Sequence, residues 1–341
     1  MDSSEINYII FGASGDLAKR YLLPALKNMN FRGKIILVSR KDYPNLKNLI
    51  PGDGEKIFHL AIPPEGVKDA VEIISKNFDK DNIKIMLEKP FGKDLTSAQD
   101  LVAHVKKYFN EKQIYRVDHY LAKNSVQEIV KKDWDKNNVS KIEIIATEKI
   151  DIEGRVNFYE QTGALQDFVQ SHLLELTAIT LMKHGAQDAR HSRYEALKEL
   201  QIVCDITKHE CVKRGQYEGY RQEVKNPQSM TETFVSMNIV SNDRLWKGVP
   251  IILTTGKALN EKLTQVKIHY KDGNNLIFNI NQEPDAYDRV ILAAVAGNDN
   301  IFISSEEVLE SWRILDDVQQ TWKNSKDDLI FYKKGAEANS I

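Results

Sequence analysis

The stretch RVDHYLAKN (116–124) sets Asp118, His119, Tyr120 and Lys123 within six positions, directly after the apolar run around Ile114–Val117. An acid, an imidazole, a phenol and an amine packed this tightly exceed what a core strand or an ordinary solvent-facing helix needs. Residues leaving the C-terminal end of a sheet strand face the crevice where ligands bind, and a dianion such as phosphate is held by cations and directed donors. The set therefore suits anion capture. The plainer alternative is a charged helix start with one satisfied histidine.

A second candidate lies upstream. FGASGDLAKR (11–20) follows a strand-like run and opens a helical one, the place where glycines let backbone approach a pyrophosphate and exposed N–H groups bind it. Gly12, Ser14, Gly15, Asp16 and Leu17 are the candidate contacts, although Gly12-x-x-Gly15 is not the standard G-x-G-x-x-G spacing. A tight turn with no ligand is the alternative; the position at the first β–α junction favours a nucleotide. At the end of the next strand VSRK supplies Ser39, Arg40 and Lys41. An acid there would bond a ribose 2′-hydroxyl, whereas two cations suit a 2′-phosphate, so NADP is favoured over NAD. Solvation of a loop is the other account of Arg40 and Lys41.

The elements that must position these groups alternate. INYIIF (6–11), KIILVS (34–39), KIFHLAI (56–62), IKIML (83–87) and QIYRV (113–117) are strand-like. Residues 16–29, 67–78 and 94–109 have helical spacing, with Pro24 as a kink or break. Such alternation implies a Rossmann-like, doubly wound parallel sheet with helices on both faces, expected over 1–120 as the NADP-binding domain. Beyond residue 140 longer β-rich segments take over at 141–150, 231–241, 264–271 and 275–281, with helical patterns at 164–183 and 306–323. This predicts an α+β substrate-binding and catalytic domain over 121–341 with a largely antiparallel sheet. The stretch 42–56 reads as a turn-rich connector.

Length and composition set the outer limits. With 341 residues, two domains are the default. The 47 basic and 49 acidic side chains are interspersed and leave a net charge of −2, without the basic face that a nucleic acid partner demands. No run approaches eighteen apolar residues, and MDSSEINYIIF lacks a basic n-region, so neither a membrane span nor a secretion signal is expected and the location is cytoplasmic. Cys204 and Cys211, with His209 between them, lack the spacing and ligand number of a zinc site and are expected as reduced thiols with no metal.

The motifs collectively resemble the glucose-6-phosphate dehydrogenase family: GASGDLAKR (12–20), LAIPP (60–64), EKPFGKDL (88–95), RVDHYLAK (116–123), EGR (153–155), GALQDFVQSHLLEL (163–176), the run from Ser229 to Lys257, and AYDRVILAAVAGN (286–298). They stand in the family's order over nearly the whole chain. Members of the family are usually longer; the missing material falls between Arg40 and Ile57, around 184–194, and between Asn281 and Ala286. The last gap shortens the antiparallel sheet through which the family pairs its subunits, which leaves homo-oligomerisation open. Ala122, Gln166 and Ser171 stand where the family has glycine, arginine and asparagine.

What the resemblance implies can be assigned by residue. His172 of QSHLL is the base that takes the C1 hydroxyl proton as hydride leaves for nicotinamide, and Asp118 fixes its tautomer. His119, Tyr120 and Lys123 grip the substrate phosphate; Lys89 and Pro90, cofactor-binding candidates joined by a bond that could be cis, sit at another strand end, where Lys89 lies between cofactor and substrate. Glu148, Asp167 and Lys257 resemble residues that bind sugar hydroxyls, and Lys262 is a further candidate for the phosphate, with plain surface charge as the alternative for Glu148 and Lys262. Asp167 and His172 are five apart, about 140° on a continuous α-helix. The implied activity is NADP-dependent oxidation of glucose 6-phosphate at C1. Alternatives are the same chemistry on another sugar phosphate, or a non-catalytic sugar-phosphate or NADP sensor.

Overall fold

The computed structural model describes the chain except residues 1–5, 52–53, 184, 186–187, 207–210, 281–285 and 326–327. Two compact units emerge. The first comprises Met1–Lys123, Asp188–His191 and Asp285–Leu309; the second comprises Asn124–Gln187, Ser192–Pro284 and Glu310–Ile341.

In the first unit, strands β1 (Ile6–Phe11), β2 (Lys34–Val38), β3 (Glu55–Leu60), β4 (Ile83–Leu87) and β5 (Ile114–Val117) form a parallel sheet, and the short strand Phe302–Ile303 adds antiparallel to β5. The order across the sheet is Phe302–Ile303, β5, β4, β3, β1, β2. Every residue of β1 is buried, as expected for a strand covered on both faces. Edge strand β2 instead leaves Ile35 and Leu37 exposed. Helices Val67–Asn77 and Leu95–Lys106 follow β3 and β4 as the periodicity predicts, the second capped by Asp94, whose side chain accepts from the Ser97 amide. Pro24 leaves its mark one turn earlier: residues Ala18–Leu22 are wound in wide i→i+5 turns before the helix resumes as Leu23–Asn28. Widening there accommodates a residue that has no N–H and whose ring crowds the preceding turn. Among the described residues, the connector between β2 and β3 contains a 3₁₀ turn, Arg40–Asn45, and a short helix, Leu46–Leu49.

The first unit does not follow a single cut near residue 120. Helix Tyr287–Ala296 packs Val290, Ile291 and Ala294 into the core formed by Tyr8, Ile10, Leu22 and Met86. Glu111 then collects Arg116 Nη1 (2.9 Å), Arg190 Nη2 (2.5 Å) and the Ser305 amide (2.9 Å) and hydroxyl (2.5 Å). Contacts between residues this distant in sequence have no local periodicity to announce them.

The second unit is built on a mostly antiparallel sheet of β6 (Val139–Thr147), β7 (Leu200–Gln201), β8 (Val212–Tyr217), β9 (Phe234–Ser241), β10 (Ile251–Gly256), β11 (Leu263–Tyr270), β12 (Asn275–Asn279) and the strand Leu329–Tyr332. The order is β12, β11, β6, β10, β9, β8, Leu329–Tyr332, with β7 pairing β9. Two pairs are parallel, β10 with β6 and Leu329–Tyr332 with β8. Along β11, Thr264, Val266 and Ile268 are buried while their neighbours are only partly covered, the alternation of a sheet with one face on the core. Helix Ser305–Asn324 opens on a reciprocal cap, the Ser304 amide bonding Glu307 (2.6 Å) and the Glu307 amide bonding the Ser304 hydroxyl (3.1 Å).

One expectation fails here. Cys204 and Cys211, read as reduced thiols, are joined in a disulfide; their Cα atoms stand 6.3 Å apart, inside the range that a bridge can span. His209 lies outside the described residues. None of the helices among the described residues is long and apolar enough to cross a membrane.

Candidate active site

The candidate residues of the first unit gather at the C-terminal ends of its parallel strands. Gly12 leaves β1 with φ +79°, and a Cβ there would overlap the Ala61 carbonyl, so the turn after β1 packs against the turn after β3 as only glycine allows. The Gly12 amide donates to Val38 (3.0 Å) and the Gly15 amide to the Gly12 carbonyl (2.9 Å). This closed turn leaves Ser14, Gly15 and Asp16 exposed at the start of the helix and Leu17 partly buried. Arg40, exposed at the end of β2, lines a cleft of about 480 Å³ with Tyr43, Ile62, Glu65, Gly66 and Asp69. The Ser39 amide and hydroxyl both donate to Asp42 (2.8 and 2.6 Å), which fixes the chain where Arg40 projects.

At the end of β4 the Lys89–Pro90 bond is cis. Lys89 Nζ pairs with Asp118 Oδ2 at 2.7 Å, and the other oxygen of Asp118 accepts from the Tyr120 amide at 2.9 Å. Asp118 is 1% exposed. Its carboxylate is thus fixed in orientation by two donors. Beyond it the chain turns tightly, the Leu121 amide bonding the Asp118 carbonyl and the Lys123 amide that of Tyr120. This folding brings the Lys123 ammonium over the Tyr120 ring (4.8 Å) and sets the His119 ring edge-on to Tyr120. His119, Tyr120 and Lys123 therefore form one cluster.

Reading the sequence missed what lies behind that cluster. His119 stacks on Tyr287, with centroids 5.9 Å apart and planes at 18°. Tyr287 also reaches Glu88 (3.3 Å), and Glu88 pairs with His59 Nε2 at 2.7 Å, which leaves Nδ1 for Tyr8 at 2.7 Å. Burial, then the charge of Glu88, pushes the Tyr8 phenol well above its ordinary pKa, so it stays a proton donor in this chain. The available signals were Glu88 beside Lys89 and the tyrosine of AYDRV; no spacing links either to His119.

In the second unit, neighbouring parallel strands place Glu148 and Lys257. Gly256 of β10 is in register with Thr147 of β6, so the next residues emerge side by side, and the Glu148 amide donates to the Gly256 carbonyl at 2.8 Å. Lys257 Nζ bonds the Glu148 carboxylate and pairs with Asp167 Oδ2 at 3.6 Å. With its side chain 3% exposed, Lys257 neutralises two acids at once. Burial pushes the Asp167 carboxyl above the usual range, with Lys257 pulling it back.

Asp167 and His172 share the segment Leu165–Leu173, which is wound with i→i+5 bonds: the Leu174 amide closes on the Val169 carbonyl. The 140° separation expected for an α-helix therefore does not apply. In this winding, residues five apart are about one turn apart, and π-type turns of this kind recur at functional sites. Ser171 supports the same geometry by donating to the Gln166 carbonyl, five residues back (2.8 Å). Lys262 is exposed, just ahead of β11.

The family model "Glucose-6-phosphate dehydrogenase, NAD binding domain" matches residues 36–128, and "Glucose-6-phosphate dehydrogenase, C-terminal domain" matches 123–283 and 278–340. Glucose-6-phosphate 1-dehydrogenase of Helicobacter pylori is 30% identical over 329 residues, spanning 86% of this chain and 76% of that protein. The cytoplasmic isoform of Solanum tuberosum is 29% identical over 363 residues, spanning 86% and 71%. The crystal structure of glucose-6-phosphate 1-dehydrogenase from Mycobacterium avium superposes with a TM-score of 0.84 at 25% identity, covering 98% of this chain and 94% of that one. The glycine turn, the β5 turn and the Lys257 cluster thus belong to a chain of known kind: this protein is a member of the glucose-6-phosphate dehydrogenase family.

Proposed function

We propose that this protein oxidises glucose 6-phosphate at C1 to 6-phosphogluconolactone with NADP as acceptor. Family membership supports the reaction. The observation in the structure that carries it is that the glycine turn after β1, Arg40 after β2, Lys89 after β4 and the anion cluster after β5 all stand at the C-terminal ends of one parallel sheet, where such sheets bind dinucleotides and their substrates.

The chain's residues fit the cofactor. The turn at Gly12 and Gly15 suits a pyrophosphate, and Arg40 in its cleft suits a 2′-phosphate. NADP, when bound, supplies the nicotinamide that accepts the hydride. His119, Tyr120 and Lys123 hold the phosphate of the sugar. Lys257, between Glu148 and Asp167, presents two acceptors and a cation to its hydroxyls. His172 takes the proton of the C1 hydroxyl as the C1–H bond breaks, so that C1 becomes the lactone carbonyl; Asp118 holds the imidazole in the required tautomer. In this reading residues 1–120 carry the cofactor, with His119 and Tyr120 at their end joining Lys123 on the phosphate of the sugar, and residues 121–341 carry the groups for its hydroxyls and the base. A cytoplasmic location goes with it, since relatives described as cytoplasmic match the chain, and light scattering reads whether two copies pair.

The test is NADPH formation, followed by absorbance, across a panel of sugar phosphates with NADP and NAD in parallel. Glucose 6-phosphate with NADP gives the highest kcat/KM, and His172→Asn removes turnover while calorimetry still detects the sugar phosphate. An active His172→Asn protein refutes the base; preference for another sugar refutes the substrate.

A further inference from the structure

Between helix Val156–Ala164 and the segment bearing Asp167 and His172 the chain breaks at Gly163, whose φ of 64° and ψ of 174° are not helical. Into this break, from the residues just ahead of β9, comes the buried side chain of Glu232. Its carboxylate accepts from the Leu165 amide at 2.9 Å, and its main-chain carbonyl accepts from the Ala164 amide at 2.9 Å. A Cβ on Gly163 would overlap that carboxylate. The first amides of a helix have no partner within it, and here one distant residue satisfies two of them. The adjoining Thr233 carbonyl accepts from the Lys257 amide at 2.9 Å. One dipeptide thus anchors both partners of the Lys257–Asp167 pair. Arg214, the cation facing Glu232 from β8, is bonded to Asp328. The proposed reaction gives Glu232 no other role.

We propose that Glu232 is a positioning residue for the reaction: it caps, from across the unit, the segment that carries Asp167 and His172 and so holds both at their working positions. This rests on the reading of His172 as the base. A carboxyl group suits the place, because its oxygen accepts from an orphan N–H at the start of the segment, and it reaches that amide from across the unit.

The variants Glu232→Ala and Glu232→Gln separate positioning from mere stability, since glutamine keeps an acceptor oxygen and fills the same space. Loss of a cap of this kind lowers kcat of Glu232→Ala by about tenfold, with KM for NADP unchanged, because Arg40 and the glycine turn are untouched. Glu232→Gln restores most of kcat. Amide exchange over residues 164–173 on the same proteins is faster in Glu232→Ala and near wild type in Glu232→Gln. A folded Glu232→Ala protein with wild-type kcat, or equal loss in both variants, overturns the proposal. If the wild-type protein turns over no sugar phosphate while exchange still follows this pattern, the functional reading fails and the cap stands; if exchange is the same in all three proteins, the cap itself is refuted.

Discussion

Glu111→Gln tests whether the first unit is held by a charge cluster that no local pattern encodes. Glu111 accepts four bonds, two from guanidinium groups that are themselves nearly buried, Arg116 at 2% and Arg190 at 8% exposed. At 2.9 Å and an effective dielectric of about 20, the Arg116 pair alone represents about 6 kcal/mol of attraction. Desolvation of the ions offsets much of that, but removing one partner from a buried pair typically costs about 3–5 kcal/mol, since the remaining charges stay buried. Here Arg116 would be left beside Arg190, which keeps Asp299 at 3.3 Å. For units of this size the cost corresponds to a fall in melting temperature of roughly 6–20 °C. Burial pushes the Glu111 carboxyl up, but Arg116, Ser305 and Arg190 outweigh it and hold it below the usual range. A depressed folded-state pKa contributes stability that is present above the unfolded value, about 4.3, and lost as pH falls through the folded value. Calorimetric melting of wild type and Glu111→Gln should therefore differ fully at pH 7 and converge below about pH 4. A variant melting within about 2 °C of wild type at pH 7, less than even 1 kcal/mol produces, would falsify the account, as would a deficit that persists unchanged into acid.

Arg40→Ala should raise KM for NADP by about 10–100-fold, the worth of a charge-assisted contact, with little effect on NAD; equal losses with both cofactors would remove Arg40 from the 2′-phosphate. Gly12→Val places a side chain against the Ala61 carbonyl in a left-handed backbone, so calorimetry should find NADP binding abolished and melting lowered, and unchanged binding would show that the turn opens freely. Lys257→Met leaves Glu148 and Asp167 as neighbouring uncompensated acids; KM for the sugar should rise at least about tenfold at pH 7, and the argument fails if KM is unaltered. Burial pushes Glu232 up to about 7, with the Leu165 amide pulling it back. Because that pKa is raised, the stability it contributes is complete below about 4.3 and is lost as pH rises towards 7, about 3 kcal/mol in all. Melting curves should accordingly show Glu232→Gln gaining on wild type between pH 4.5 and 7.5, and parallel curves across that window would contradict it.

Much of the first unit was legible before any coordinates. Short apolar runs separated by amphipathic segments specify strands and helices through local periodicity, and β1, β3, β4 and β5 lie where their patterns predict. The helices Val156–Ala164 and Ala189–Lys198, by contrast, carry no marked apolar stripe and went unread. Residue types with chemical reach were equally visible, since an acid, an imidazole and a lysine within one turn need no fold to be noticed.

What only the tertiary structure decided is how those residues are held. The wide winding of Leu165–Leu173 replaces the α-helical separation of Asp167 and His172. The register of β6 against β10 sets Glu148 beside Lys257, more than a hundred positions away. Glu232 caps a segment 67 residues before it, and Tyr287 stacks on a histidine far earlier in the sequence, His119. The physical reason is common to all of them. Periodicity records which face of an element is buried, but a hydrogen bond or ion pair between distant residues exists only once packing has brought its two ends together.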